Sequence, residues 1–224
     1  MRVVSLLRKG SDRSAADSAG LLSLVVPRTI RLEPLATGRE LEIESAISSS
    51  SRDLSDRLGL AGERLLGSWL SRYVELDPRR VLCWDTVLQA NNVAELDAVV
   101  SAGLVFLEFK WSVRPERMFS GCTRQLRTAM DIWKLGCEPQ SRPVRGIGVI
   151  VDCGPLVGNV RYQDTKDTSE LVRMIKEGAE PFALCVLAYD EVAEYIADSP
   201  YASLLSPQGV FDALSAGGQV KGNL

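Results

Sequence analysis

Two long apolar runs constrain the fold of this chain more than any other feature of its sequence. Residues 144–152 (VRGIGVIVD) and 181–190 (PFALCVLAYD) are almost continuously hydrophobic, as strands are when both faces of a sheet are covered. Residues 168–178 between them are predicted to form a helix with Thr168 as its cap. A strand–helix–strand order is typical of α/β proteins, so we expect a sheet flanked by helices.

The preceding segment adds helices and strands to this pattern. Residues 53–77 carry apolar residues at helical spacing, and Asp53 or Ser55 can cap the helix. The elements predicted to follow are strands over residues 81–90, 93–100 and 104–112 and a helix over residues 121–135. We place turns at Asn92 and at residues 101–103. From residue 53 the predicted order is α-β-β-β-α-β-α-β-α around a mixed sheet.

The two ends of the chain are predicted to be accessory segments. Residues 1–50 are expected to form a β-rich arm or accessory layer, with strands within residues 21–35 and over residues 38–47. Residues 51–200 would be the main domain, and residues 201–224 a flexible tail. The N-terminal apolar stretch is too short for a secretory signal, and no window resembles a membrane span. We therefore expect a cytoplasmic protein without a membrane partner.

The composition excludes several kinds of catalysis. The sequence contains no histidine, which rules out Ser-His-Asp and Cys-His catalysis and His-ligated zinc. Its five cysteines are widely spaced and form no CxxC pair, so we expect reduced core thiols. The net charge of −3 neither indicates nor excludes a nucleic-acid partner. Catalysis must use carboxylates, Lys, Cys, Tyr or Ser.

Charged residues lie on the strands of the predicted hairpin. Glu108 and Lys110 share one face at the end of an apolar strand, and Glu95 and Asp97 share a face of the strand before it. The hairpin would bring Asp97 near Glu108, and two close carboxylates repel unless a cation lies between them. Mg²⁺ suits such a pair. Lys110 could orient and help deprotonate the attacking water, or stabilise the charge that develops on the phosphorane. The alternative is a solvated strand end with a surface ion pair.

The helix over residues 53–77 supplies a third carboxylate. Glu63 lies on or beside the stripe formed by Leu66 and Leu70, and a carboxylate near the core requires a partner. The alternative is a Glu at the helix edge that pairs with Arg64 or Arg72 in solvent.

Together these motifs resemble the PD-(D/E)xK nuclease superfamily. Gly62-Glu63 in a helix, Glu95-Leu96-Asp97 in a strand and FLEFK (residues 106–110) in the next strand occur in that order. The predicted α-β-β-β-α-β order is similar to the restriction-endonuclease-like core of that superfamily. The sequences of these motifs are most similar to those of proteins related to Holliday-junction resolvases, Mrr-like restriction nucleases and CRISPR-ancillary nuclease domains. The resemblance covers residues 53–152.

The resemblance implies a role for each matching residue. Those implied as ligands of Mg²⁺ or Mn²⁺ are Asp97, Glu108, the backbone carbonyl of Phe109 and, for a second metal or a metal-bound water, Glu63. Lys110 would be the catalytic lysine. Gln125 matches a Gln of the following helix in some branches, but Ala129 stands where exonuclease-like branches carry Tyr.

Basic residues are concentrated next to these motifs. Between residues 110 and 145 the chain has eight Lys or Arg and three Asp or Glu. The nucleic-acid contacts that we expect are Arg114, Arg117, Arg124, Gln125 and Arg127. Arg124 and Arg127 are three apart on a helix and could face one phosphate strand. Trp111 could stack on a base or pack in the core, and the whole basic segment could be a solvated face.

The sequence therefore predicts a Mg²⁺- or Mn²⁺-dependent nuclease, with DNA as the expected substrate and endonucleolytic cleavage, in a defence, repair or mobile-element context. The alternative is a catalytically inactive nuclease-fold module that binds nucleic acid or scaffolds a complex. A homodimer and a subunit of a larger complex both remain open.

Overall fold

The structure is a computed structural model and describes residues 29–49, 53–85, 90–100, 103–136 and 143–216. These residues form an α/β fold around one six-stranded mixed sheet. The strands are β1 (Thr29–Pro34), β2 (Asp77–Asp85), β3 (Ala90–Val100), β4 (Val105–Ser112), β5 (Arg145–Asp152) and β6 (Phe182–Ala188). The helices are α1 (Thr37–Ser48), α2 (Leu54–Leu70), α3 (Phe119–Gly136), α4 (Thr168–Glu177), α5 (Asp190–Ala197), α6 (Ala202–Leu205) and α7 (Pro207–Ala216).

The strands lie side by side in the same order as in the sequence. Neighbouring strands from β1 to β4 are antiparallel, whereas β4, β5 and β6 are parallel. Helices α3 and α4 make the two crossovers that parallel strands require. The order predicted from residue 53 is confirmed as far as α5, and the two apolar runs form β5, inside the sheet, and β6, at its edge.

Two hydrophobic cores lie on opposite faces of the sheet. Helix α2 packs on β4, and α1, α6 and α7 pack against α2. This core includes Leu65, Trp69 and Phe109. Helix α3 covers the other face, where Phe106 and Leu126 are fully buried. Because α3 contacts β1 as well as β4 and β5, the antiparallel half of the sheet must curve around this helix.

The helix starts follow local hydrogen bonding. Asp53 caps α2 as predicted, because its carboxylate accepts a hydrogen bond from the Ser55 N–H at 2.7 Å. The cap of α4 is Asp167, which accepts from the Glu170 N–H at 2.8 Å, and the prediction of Thr168 was wrong. The Thr168 hydroxyl instead donates to Glu191.

Three sequence predictions before β4 were wrong. Residues 38–47 lie in helix α1 and do not form a strand. Helix α2 ends at Leu70, well before residue 77. Asn92 lies inside β3, paired with Cys83, so no turn occurs there. Residues 21–28, where the first strand was expected to begin, lie outside the described residues.

The two ends of the described chain belong to the same packed unit. Strand β1 pairs with β2 in the main sheet. Residues 202–216, expected to be part of a flexible tail, instead form α6 and α7, and Leu205, Val210 and Leu214 are buried. Residues 217–224 lie outside the described residues, and the domain limits at residues 50 and 200 stay predictions.

The cysteines of the described residues are core side chains. Cys83, Cys122, Cys153 and Cys185 are free thiols and buried, and Cys137 lies outside the described residues. No helix in the described part of the chain has the length and the apolar character needed to cross a bilayer.

Candidate active site

The site begins where β3 and β4 separate. Their residue pairing runs from Val100 with Val105 to Ala98 with Leu107 and goes no further. Beyond this point the Asp97 Oδ2 atom accepts a hydrogen bond from the Phe109 N–H at 2.7 Å. The carboxylate takes the place of a strand carbonyl, which fixes Asp97 next to the strand that carries Glu108.

Glu108 lies on the face of β4 that also carries Phe106 and is covered by α3. Its residue is only 3% exposed, so the alternative of a solvated strand end does not apply. Burial and the nearby charge of Asp97 raise the pKa of Glu108 to about 7, although Lys110 acts in the opposite direction. Near neutral pH, this carboxyl group exchanges readily between its protonated and charged forms.

Lys110 lies among the acidic side chains. Its Nζ atom is 2.5 Å from the Glu108 Oε1 atom and 3.9 Å from the Glu63 Oε1 atom. Burial by itself lowers the pKa of Lys110, but Glu108, Asp97 and Glu63 outweigh this effect and raise the pKa above its ordinary value. The lysine is therefore a permanent cation at neutral pH.

Glu63 reaches the site because α2 approaches β4 closely. A Cβ atom on Gly62 would lie only 2.0 Å from the Trp111 Nε1 atom, so this contact requires glycine. Arg64 pairs with Glu44 at 2.7 Å, and Arg72 lies over aromatic rings, including Tyr195 at 5.5 Å. The neighbouring arginines thus have other partners, and Glu63 extends toward Lys110.

Trp111 belongs to the core. Its side chain packs against Gly62 and makes an edge contact with Tyr189 at 6.3 Å between ring centroids. The residue is buried, so of the two alternatives for Trp111 the core position is confirmed and stacking on a base is wrong.

Helix α3 brings the Cys122 thiol close to Glu108 and also carries two of the basic residues. Burial, and then the charge of Glu108, raise the pKa of the Cys122 thiol to about 12, so the thiol stays neutral. Arg124, Gln125 and Arg127 are exposed on the same helix. Arg127 lies over the Phe182 ring at 5.5 Å, toward the start of the parallel strands.

The other basic residues differ in their surroundings. Arg117 is exposed and Arg114 half-buried in the segment after β4. The Arg145 guanidinium donates to the carbonyls of Met174, at 3.1 Å, and Gly178, at 2.6 Å, and so caps the end of α4. Arg145 stabilises the fold and is not part of an open basic surface, whereas Arg142 lies outside the described residues.

The donor set suits a hard cation in its chemistry. Asp97 and Glu108 offer carboxylate oxygens, which Mg²⁺ and Mn²⁺ prefer, and their mutual repulsion is visible in the raised pKa of Glu108. No cluster of three or more Cys, Asp or Glu side chains arranged for a metal occurs within the described ranges. Lys110 supplies the positive charge at this position.

The sequence did not reveal a second feature beside the site. Asp152, at the end of β5, is 1% exposed, and its two oxygens accept from the N–H groups of Gly154 and Tyr162, both at 2.8 Å. These bonds hold the segment after β5 against the end of that strand. An acidic residue that ends an apolar run was the one available signal.

No family model matches this sequence, and neither a curated protein nor a solved structure matches the chain.

Proposed function

We propose that this protein is a nuclease that hydrolyses phosphodiester bonds with Mg²⁺ or Mn²⁺, of the PD-(D/E)xK kind. The observation that carries the proposal is the position of the Lys110 ammonium between Glu108 and Glu63, at 2.5 Å and 3.9 Å, beside the fixed Asp97. Ionisable groups with strongly perturbed pKa values are concentrated at functional sites, and here three buried or half-buried acids surround one lysine.

The fold supports this proposal. The motif residues occupy a helix, an antiparallel strand and a strand shared with the parallel sheet, in the order α2, β2, β3, β4, α3, β5. A restriction-endonuclease-like core has the same order of elements, and we propose that this chain contains such a core.

Asp97, Glu108 and the Phe109 carbonyl would hold the cation, with Glu63 toward a second cation or its water. A bound Mg²⁺ or Mn²⁺ neutralises phosphate charge and lowers the pKa of its water. In the cation-free protein the neighbouring acids hold the proton of Lys110 on Nζ, because they raise its pKa. From this position Nζ can donate a hydrogen bond to a phosphate oxygen or to the attacking water.

Nucleic acid is the proposed substrate, and DNA the expected one. Arg117 and Arg124 are exposed on the segment that follows the site, where they can neutralise backbone phosphates. Arg127 instead lies over the Phe182 ring, so we expect it to contribute less to the binding of nucleic acid than Arg117 and Arg124.

The decisive experiment offers linear, circular, branched and single-stranded DNA and RNA to the protein with Mg²⁺, Mn²⁺ or a chelator. Glu108→Gln and Lys110→Met should each reduce cleavage at least about a hundredfold. Glu42→Gln and Lys176→Met are the matched controls, because both residues are exposed on helices that carry none of the proposed site residues, and both should cleave like the wild type.

Two outcomes would reject the enzyme. One is the absence of cation-dependent cleavage with every substrate, and the other is equal activity of Glu108→Gln and its control. Nucleic-acid binding without cleavage would favour the non-catalytic module.

A further inference from the structure

A groove opens at the carboxyl ends of the parallel strands, beside the site. One wall is formed by residues 113–116, which follow β4, and the other by residues 159–164, which follow β5; the cavity volume is about 500 Å³. Val113 comes three residues after Lys110, a distance of about 10 Å along a strand. Ligands of parallel sheets bind beyond these strand ends, and the volume is in the range of small-molecule sites, which is about 300–1,000 Å³.

Hydrogen bonds and close packing fix the walls of the groove. Asp152 holds the backbone of Gly154 and Tyr162 through both of its oxygens. A Cβ atom on Gly154 would lie 3.1 Å from the Val113 carbonyl oxygen and 3.3 Å from that of Val160, so this glycine lets the two walls approach each other. The Tyr162 ring is supported by an edge contact with Phe119 at 5.8 Å.

The charges of the second wall are already paired. Arg161 forms an ion pair with Asp190, and Asp164 forms one with Lys166 at 2.6 Å. With Arg114 and Glu116 on the first wall, the lining has no excess of positive charge. A multiply charged anion is therefore a poor ligand for this groove.

The remaining polar side chains suit a neutral planar ligand. Asn159 and Gln163 each provide an amide that both donates and accepts, which is the chemistry that reads base edges. The Tyr162 ring lies between them in the sequence and offers an aromatic surface for stacking.

We propose that this groove binds the base of an unpaired nucleotide in the substrate strand, next to the phosphate at the Glu108–Lys110 site. The inference rests on the proposed nucleic-acid substrate and makes it more specific: the substrate is single-stranded there or carries an extruded base.

The test measures binding, independently of cleavage. A fluorescent single-stranded DNA oligonucleotide is titrated with the full chain in a chelator, where hydrolysis cannot proceed, and the same titration is made with an abasic oligonucleotide of equal length. The variant is the double substitution Asn159→Ala with Gln163→Ala. The control is Gln208→Ala, which removes an exposed amide from α7.

The double variant should bind the intact oligonucleotide about tenfold more weakly than the wild type. It should bind the abasic oligonucleotide as the wild type does, and the control should behave as the wild type with both. The loss should change little with salt concentration, because contacts to bases release no counterions.

Three results would overturn the groove proposal: no binding of the intact oligonucleotide by the wild type, equal binding by wild type and double variant, or the same loss with the abasic strand. Cleavage assays fail or succeed separately. If the double variant loses base-dependent binding but the wild type never cleaves, the nuclease proposal is rejected and the groove proposal stands. If the wild type cleaves but the double variant shows no such loss of binding, the groove proposal is rejected and the nuclease proposal stands.

Discussion

The Asp97 carboxylate and the Phe109 backbone N–H are joined by a hydrogen bond of 2.7 Å at the point where β3 and β4 stop pairing. A side chain has replaced the main-chain acceptor that a continued ladder would supply. The two strands can therefore diverge without leaving the N–H unpaired, and Glu108 and Lys110 lie on β4 beyond the last pair. The end of the pairing thus coincides with the acidic site.

We predict that Asp97→Asn lowers the pKa of Glu108. The amide oxygen can still accept from the Phe109 N–H, but the negative charge that contributes to the raised pKa of Glu108 is gone. Carbon-13 NMR titration of the Glu108 carboxyl group should show its midpoint move from about 7 toward ordinary glutamate values. A midpoint unchanged by the substitution would mean that Asp97 and Glu108 do not interact.

Glu108 should make the cation-free protein less stable as pH rises. The native pKa is about 7 and the reference value is 4.5, so between these values the native state binds more protons than the unfolded state. Stability contributed by this group is therefore lost as pH rises from about 4.5 to about 7, with a slope of at most about 1.4 kcal/mol per pH unit.

Urea unfolding in a chelator, from pH 5 to pH 8, measures this effect. The wild type should lose stability relative to Glu108→Gln over that interval, because the amide does not titrate. Parallel curves for the two proteins would contradict the raised pKa.

Cation affinity should rise with pH through the same interval. The protonated Glu108 carboxyl group cannot bind a cation, so a cation must displace a proton below pH 7. Calorimetric titration with Mn²⁺ in two buffers of different ionisation enthalpy should show close to one proton released at pH 6 and little at pH 8. Cation uptake with no proton release at pH 6 would place the binding site elsewhere.

The parts of the structure that the sequence predicted best depend on continuous local patterns. Strands β5 and β6 are apolar on both faces, and Asp53 stands directly before an amphipathic helix. The proximity of Asp97 and Glu108 followed from a hairpin and the alternation of side chains. Each of these inferences needs only neighbours in the sequence or one turn.

The wrong predictions concern patterns that fit two structures. In residues 38–47 the alternation of Leu41 and Ile43 suggested a strand, yet Ile43, Ala46 and Ile47 also have helical spacing and are the buried set. Leu41 is 61% exposed, so packing against α2 decided in favour of the helix. In the same way, Val210, Ala213 and Leu214 have helical spacing in a segment whose composition suggested a tail.

The groove could not be predicted, because its walls are distant in the sequence. Residues 113–116 and 159–164 meet only through the parallel register of β4 and β5, which pairs Ser112 with Asp152. No local sequence pattern indicates this register or the two hydrogen bonds that the Asp152 carboxylate accepts.

We predict that Gly62→Ala damages the site through the core. The new methyl group would collide with the Trp111 ring, whose Nε1 atom lies 2.0 Å from the position of the Cβ atom, and overpacking of this kind costs about 1–3 kcal/mol. Helix α2 must then move away from β4 and carry Glu63 away from Lys110.

Gly59→Ala is the matched control, because the same helix has open space there, and it should raise the free energy of unfolding by about 0.5–1 kcal/mol. Urea unfolding and cleavage assays of both variants test this: a Gly62→Ala protein as stable and as active as Gly59→Ala would show that the close approach of α2 does not position Glu63.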